Sequence, residues 1–338
     1  MTQWTRRDFL AASAGTAASL TLAGLAARAA ANPNQEGPKV EYRQFGKTDM
    51  KVSALGFGGA EIGFEQTDQE LVDRLLNSAL DAGLNVVDTA ECYMGSEESI
   101  GRAISNRRDE YYLFTKVGHM HGYAGGGDWS AASIAESIDR SLKRLRTDRV
   151  DLVQLHSCKA DVIAKGEAIE ALEKARKQGK TRYIGYSGDS TDAVAAIKTD
   201  RFDTLQTSVS IADQQSIDLL LPLARERNMG VIAKRPIANA AWRYKESPEN
   251  DYHTTYWERF GKLDYPFLKG DMSEAVGIAL RFTLSQPGVH TAIVGTTKPE
   301  RWKQNAALIA PGPLPKEQIE AIRKRWREIA TAEWVGQV

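Results

Sequence analysis

Eight short apolar runs alternate with eight helix-period segments along this chain, and no other feature constrains its fold as tightly. The runs are Ala54–Gly58, Leu84–Ala90, Tyr111–Val117, Asp151–His156, Tyr183–Tyr186, Thr204–Ser208, Gly230–Lys234 and Thr291–Val294. Each has strand length and few internal polar residues, the pattern of strands covered on both faces. Amphipathic stretches follow them at Asp68–Ala82, Ser96–Ile104, Ser130–Leu145, Gly166–Gln178, from Thr191, at Ser216–Glu226, Ser273–Leu284 and from Pro299. Thr67-Asp68-Gln69-Glu70 has the form of a capping box, and Ser96, Ser130, Thr191 and Ser273 suit helix N-caps. Parallel strands joined by right-handed helical crossovers close most economically into a (β/α)8 TIM barrel. The segment EYRQFGKTDMKVS before the first run reads as a β-hairpin, and Pro315–Thr331 as an extra C-terminal helix on the outside.

Polar residues interrupt the apolar runs at their C-terminal ends. Asp88 closes one, Lys116 the next and His156 the third, with Tyr93 just beyond the first. In a parallel barrel these ends converge on one mouth, where that architecture does its chemistry. An ammonium beside a phenol stabilises the phenolate, so Lys116 would make Tyr93 a better acid; moving its pKa by about two units asks roughly 3 kcal/mol of the pair. Asp88 would keep Lys116 charged and oriented, and a neutral His156 would hydrogen-bond a substrate oxygen. Taken singly, each residue also has a structural explanation: a turn cap, an ion pair, a satisfied core histidine. Four complementary groups at three successive strand ends favour the chemical one.

The 44 basic and 44 acidic side chains balance, so no long-range field draws nucleic acid or an anionic membrane, and a small-molecule partner is expected. The first thirty residues stand apart. Thr5-Arg6-Arg7-Asp8-Phe9-Leu10, a weakly apolar stretch from Ala11 to Leu25 and Ala27-Arg28-Ala29 resemble a twin-arginine export signal. Residues 1–30 are thus expected to be a signal segment read by the twin-arginine export machinery, and residues 38–338 the barrel, periplasmic or secreted. No later stretch is long enough for a membrane span. Cys92 and Cys158 are the chain's two cysteines; they can pair across the mouth or stay free thiols. Two long connections, Gly118–Trp129 and Ile237–Asp271, follow strands at the mouth; the first reads as a rim, the second, rich in aromatic residues, as a substrate wall. His119-x-His121 lacks a convincing third ligand, and no metal is expected.

VVDTAECYMGSEESIG, LFTKVG, DLVQLHS, YIGYSG, TLQTSVS, VIAKRP and AIVGTTKPERWKQN occur in this order between Val86 and Asn305. In them the chain resembles the aldo-keto reductases. The resemblance implies a nicotinamide cofactor, usually NADPH, hydride transfer to aldehydes and ketones, Tyr93 as general acid, and Asp88, Lys116 and His156 as its partners. It also implies that Ser187 and Gln206 hold the carboxamide, and that Arg301, Gln304 and Asn305 meet the 2′-phosphate and adenine. Gly295-Thr296-Thr297-Lys298 before a helix is on its own an anion-binding arrangement. Gly59 is expected where backbone must pass close to the cofactor. In many relatives an aromatic residue stacks on the nicotinamide where this chain has Lys234, followed by Arg235, two cations that could reach the pyrophosphate; Gly188 replaces an asparagine. Two functions compete: an exported NADPH-dependent carbonyl reductase, or its reverse, and a nicotinamide-binding sensor or accessory subunit with little turnover. A hydrolase built on Asp88 and Glu91 leaves Lys116 and Tyr93 without a task.

Overall fold

The computed structural model describes residues 40–119 and 126–337. Alternation within each strand decides the architecture: in Val150–His156 (β6), Val153 and Leu155 face the helices, while Leu152 faces inward with residues of other strands. Eight parallel strands close into a barrel in chain order: β3 (Leu55–Gly58), β4 (Val86–Asp88), β5 (Tyr112–Val117), β6, β7 (Thr181–Ser187), β8 (Thr204–Ser208), β9 (Gly230–Lys234) and β10 (Thr291–Val294). The closing pair is β10 on β3, with Ile293 opposite Gly56. This is the (β/α)8 barrel expected from the eightfold alternation.

The predicted hairpin is present, β1 (Tyr42–Gln44) against β2 (Lys51–Ser53). Its Phe45, Met50 and Val52 are fully buried and join Val86, Phe114, Leu152, Ile232 and Ile293 in one cluster, so the hairpin stoppers the N-terminal end of the barrel. The fit at the turn is tight. Gly46 has φ +54°, and a Cβ there would lie 2.3 Å from the Gly230 nitrogen, so only glycine suits both the conformation and the space.

The outer layer holds the expected helices and three that sequence patterning missed. It comprises α1 (Ala60–Phe64), α2 (Gln69–Asp81), α3 (Ser96–Ile104), α4 (Ala131–Leu145), α5 (Ala160–Lys165), α6 (Glu167–Lys177), α7 (Ser190–Lys198), α8 (Gln215–Leu219) and α9 (Leu221–Glu226), followed by α10 (Asp251–Leu263), α11 (Met272–Leu284), α12 (Arg301–Ile309) and α13 (Lys316–Ile329). Of these, α1 and α5 are too short for a period to show, and α10 lies inside the segment read as a loop. The expected helix Ser216–Glu226 divides at Leu220, with a proline in the first turn of α9, because proline cannot donate the hydrogen bond that would continue α8.

Caps differ in detail from expectation. Ser130 caps α4 by accepting from the Ser133 N–H, but Asp271, not Ser273, caps α11, and α7 begins after Asp189. Thr67 makes no capping bond to α2, and its N–H instead bonds the Ile62 carbonyl to end α1. Ser96 lies within α3, where its hydroxyl donates to the Gly59 carbonyl at 2.7 Å.

The aromatic connection Ile237–Asp271 is only partly open: Tyr252 is exposed, while other rings turn inward. Tyr256 and Phe260 are buried on α10 and form a second apolar cluster with residues of α11, α13 and Trp334. Residues Pro38–Val338 form one unit. The predicted export segment, residues 1–30, lies outside the described residues, as do His121 and the middle of the glycine-rich rim. No described helix is long and apolar enough to cross a membrane.

Candidate active site at the C-terminal mouth

The parallel register steps the three polar residues along successive strand ends, each two positions beyond the one before: Asp88 pairs with Phe114, Lys116 with Gln154 and His156 with Ser187. Asp88 and Lys116 are both 1% exposed. The Lys116 ammonium donates to Asp88 Oδ1 and, at 2.9 Å, to the Thr89 carbonyl. Asp88 Oδ2 accepts from Gln206 Nε2 at 2.9 Å and Gln154 Nε2 at 3.4 Å. Burial pushes the Asp88 carboxyl up, against the charge of Lys116 and the hydrogen bonds from Lys116, Gln206 and Gln154. A buried charge pair needs such additional donors to be tolerated.

Tyr93 stands over this pair. The turn after β4 is held by the Glu91 N–H on the Lys116 carbonyl, 3.1 Å, and the Tyr93 N–H on the Ala90 carbonyl, 3.1 Å. It places the Lys116 nitrogen 4.8 Å from the Tyr93 ring centroid. The His156 ring meets the Tyr93 ring edge-on, with centroids 5.7 Å apart. Burial, and then the positive charge of Lys116, hold His156 well below the usual imidazole range, so it is neutral. Phe64 packs on the other side of Tyr93 at 5.8 Å, while His119 lies between His156 (5.4 Å) and Trp129 (5.3 Å). Gly118, at φ +110°, lies against the Trp129 ring, which a Cβ there would enter. Phe64 thus packs on Tyr93 directly, and His119 links His156 to Trp129.

Across the mouth, Ser187 donates to Gln206 Oε1 at 3.0 Å, so Gln206 links Ser187 to Asp88. Lys234 forms a 2.9 Å ion pair with buried Asp189, and burial pushes the lysine down to about 8. Arg235 donates to the Tyr252 and Ser208 hydroxyls, each at 2.6 Å. The two cations expected to be available to a ligand are therefore engaged by protein groups. Gly59 makes its close approach to protein as well: its N–H bonds the Asp88 carbonyl at 2.8 Å, and Ser96 fills its Cβ direction. At the other end of the groove, the Lys298 N–H bonds Thr296 Oγ1 at 3.0 Å ahead of α12. The Cβ direction of Gly295 is taken by the Glu61 carboxyl, which burial raises to about 6.

These residues fit a nicotinamide dinucleotide. Thr296, Thr297 and Lys298 stay accessible beside the start of α12, with Arg301 and Gln304 on its first turn. Asn305 is 2% exposed, and its Oδ1 has no hydrogen-bond partner among the described residues. A buried acceptor left unmatched is costly, and an exocyclic amine such as adenine's would satisfy it. Gln154, Cys92, His119, Asp189 and Glu61 were missed as site residues. Gln154 was legible, since it lies two positions before His156 on the same face of β6. The others depend on contacts across the mouth. No disulfide joins Cys92 and Cys158. Cys92 Sγ lies 3.4 Å from His156 Nδ1, and burial pushes the Cys158 thiol up to about 12.

Comparison with known proteins identifies the family. Residues 54–327 match the model of the Aldo/keto reductase family. Among solved structures, the chain is similar to the holo form of aldo-keto reductase AKR11C1 from Bacillus halodurans, with TM-score 0.73 and 29% identity over 88% of this chain and 99% of that one. It is 29% identical to L-galactose dehydrogenase of Arabidopsis thaliana over 80% of this chain and 88% of the relative. It is 26% identical to D-threo-aldose 1-dehydrogenase of a Pseudomonas species over 85% and 95%. Its closed barrel, polar mouth and matched sequence make this chain a member of the aldo/keto reductase family, an NAD(P)H-dependent oxidoreductase.

Proposed function

We propose that the protein interconverts a carbonyl compound and its alcohol with NADPH or NADP+, using Tyr93 as the proton donor and acceptor. The observation that carries this reading is the Lys116 ammonium, held by Asp88 and lying 4.8 Å from the Tyr93 ring centroid. A nicotinamide dinucleotide held by the residues of this groove would supply the hydride. Tyr93 gives its Oη proton to the carbonyl oxygen, and Lys116 stabilises the phenolate left behind. His156, neutral, donates a hydrogen bond to the same oxygen. In the oxidising direction the same groups act in reverse, with the phenolate removing the alcohol proton. The likeness to two sugar dehydrogenases favours an aldose or related aldehyde as substrate. The test is absorbance at the reduced-nicotinamide band with a panel of aldehydes, ketones and sugars. Cofactor binding without turnover of any compound would favour a sensor or accessory subunit instead.

Ser187 and Gln206 are assigned to the carboxamide, Thr296, Thr297 and Lys298 to phosphate, and Arg301 to the 2′-phosphate. A forked guanidinium bond to phosphate is charge-assisted. Arg301→Ala is therefore expected to weaken NADPH binding by about tenfold to a hundredfold while changing NADH affinity little, as measured by cofactor fluorescence titration. Equal loss for both would remove the assignment. Export completes the proposal: residues 1–30 would carry the folded enzyme through the twin-arginine route. Exchanging Arg6 and Arg7 for lysine should then retain it inside the cell, as read by fractionation.

A further inference from the structure

We propose that Cys92 is a positioning residue that fixes the tautomer of His156 by donating its S–H to Nδ1. The inference rests on the proposed role of His156 as a hydrogen-bond donor to the substrate oxygen, and adds what makes that role available.

A neutral imidazole carries one N–H, and which nitrogen holds it is set by the partner of the other. His156 is 4% exposed and lies among Lys116, Lys234 and Arg235, whose charges oppose a proton on it. Its Nδ1 lies 3.4 Å from the Sγ of Cys92, which is 1% exposed. Two neutral arrangements fit that contact. If Nδ1 donated to sulfur, Nε2 would be bare and would repel a carbonyl oxygen. If the thiol donates to Nδ1, the proton sits on Nε2, on the side of the ring away from Cys92. Sulfur is a weak acceptor and the imidazole nitrogen a good one, so the second arrangement is the stronger bond. An imidazolium–thiolate pair would add another buried positive charge beside Lys116 and Lys234. The ring cannot turn to evade the contact, because Tyr93 and His119 each meet it at 80°. Cys92 also adjoins Tyr93 in the chain, so one turn sets both the proton donor and the polarising hydrogen bond.

The experiment is nitrogen NMR of histidine-labelled enzyme, with the His156 signals assigned among the 5 histidines by His156→Gln. Wild type is expected to show a single Nε2–H tautomer. Cys92→Val, which removes the donor at similar bulk, should give a mixture of tautomers and lower kcat by about three- to tenfold, the size of one lost neutral hydrogen bond. KM and NADPH affinity should hold. Cys92→Ser should restore both the nitrogen pattern and part of kcat. An Nδ1–H tautomer in wild type, or a nitrogen pattern unaltered in Cys92→Val, would overturn the proposal. A shifted tautomer with kcat untouched would support the Cys92 contact and remove the role of His156, so the two failures are distinct.

Discussion

Tyr93→Phe is expected to reduce kcat/KM for carbonyl reduction by about a hundredfold to ten-thousandfold, the range that a positioned general acid supplies. Phenylalanine keeps the ring that packs on Phe64, His156 and the Lys116 nitrogen. Folding and NADPH affinity should therefore stay near wild type, and the loss should appear in the chemical step. Steady-state rates and fluorescence titration of the cofactor, run on the same preparations, check both halves. Full activity in the variant would take the proton-transfer role from Tyr93 and leave the fold and family unaffected.

Lys116→Met is expected to damage stability as well as turnover. Its ammonium is the partner of a carboxylate that is 1% exposed, and removing one member of a buried pair typically costs about 3–5 kcal/mol because the other charge is stranded. The direction with pH follows from Asp88, whose carboxyl burial already raises. Without Lys116 it rises further above its unfolded value. The penalty is then full above the folded pKa, where the stranded carboxylate is charged, and it shrinks as pH falls towards the unfolded pKa, where both states are protonated. Thermal unfolding of wild type and variant at neutral and mildly acidic pH should show the gap in Tm narrowing on the acid side. A gap independent of pH would mean that Asp88 stays charged in the variant throughout, or that the loss is one of packing.

Much of the barrel was legible because buried parallel strands are short uninterrupted apolar runs, and β5, β6 and β8 fall within a residue of their sequence boundaries. Asp88, Lys116 and His156 were equally visible: polar groups at the ends of such runs need a reason to be there. Local signals failed where geometry chose among candidates. Thr67 and Asp68 both suit an N-cap, and the turn that ends α1 engages the Thr67 N–H. The aromatic residues of Ile237–Asp271 carry no mark of which way they face, and helix α10 turns Tyr256 and Phe260 into a core. Lys234 and Arg235 read as available cations, since their partners Asp189, Tyr252 and Ser208 come from other segments and meet them only once the barrel closes.

The hairpin under the barrel has a consequence for traffic. With Phe45, Met50 and Val52 sealing the floor, whatever the protein handles must arrive and depart through the same doorway. Two guests sharing one passage leave in sequence, so the one seated deeper waits for the other.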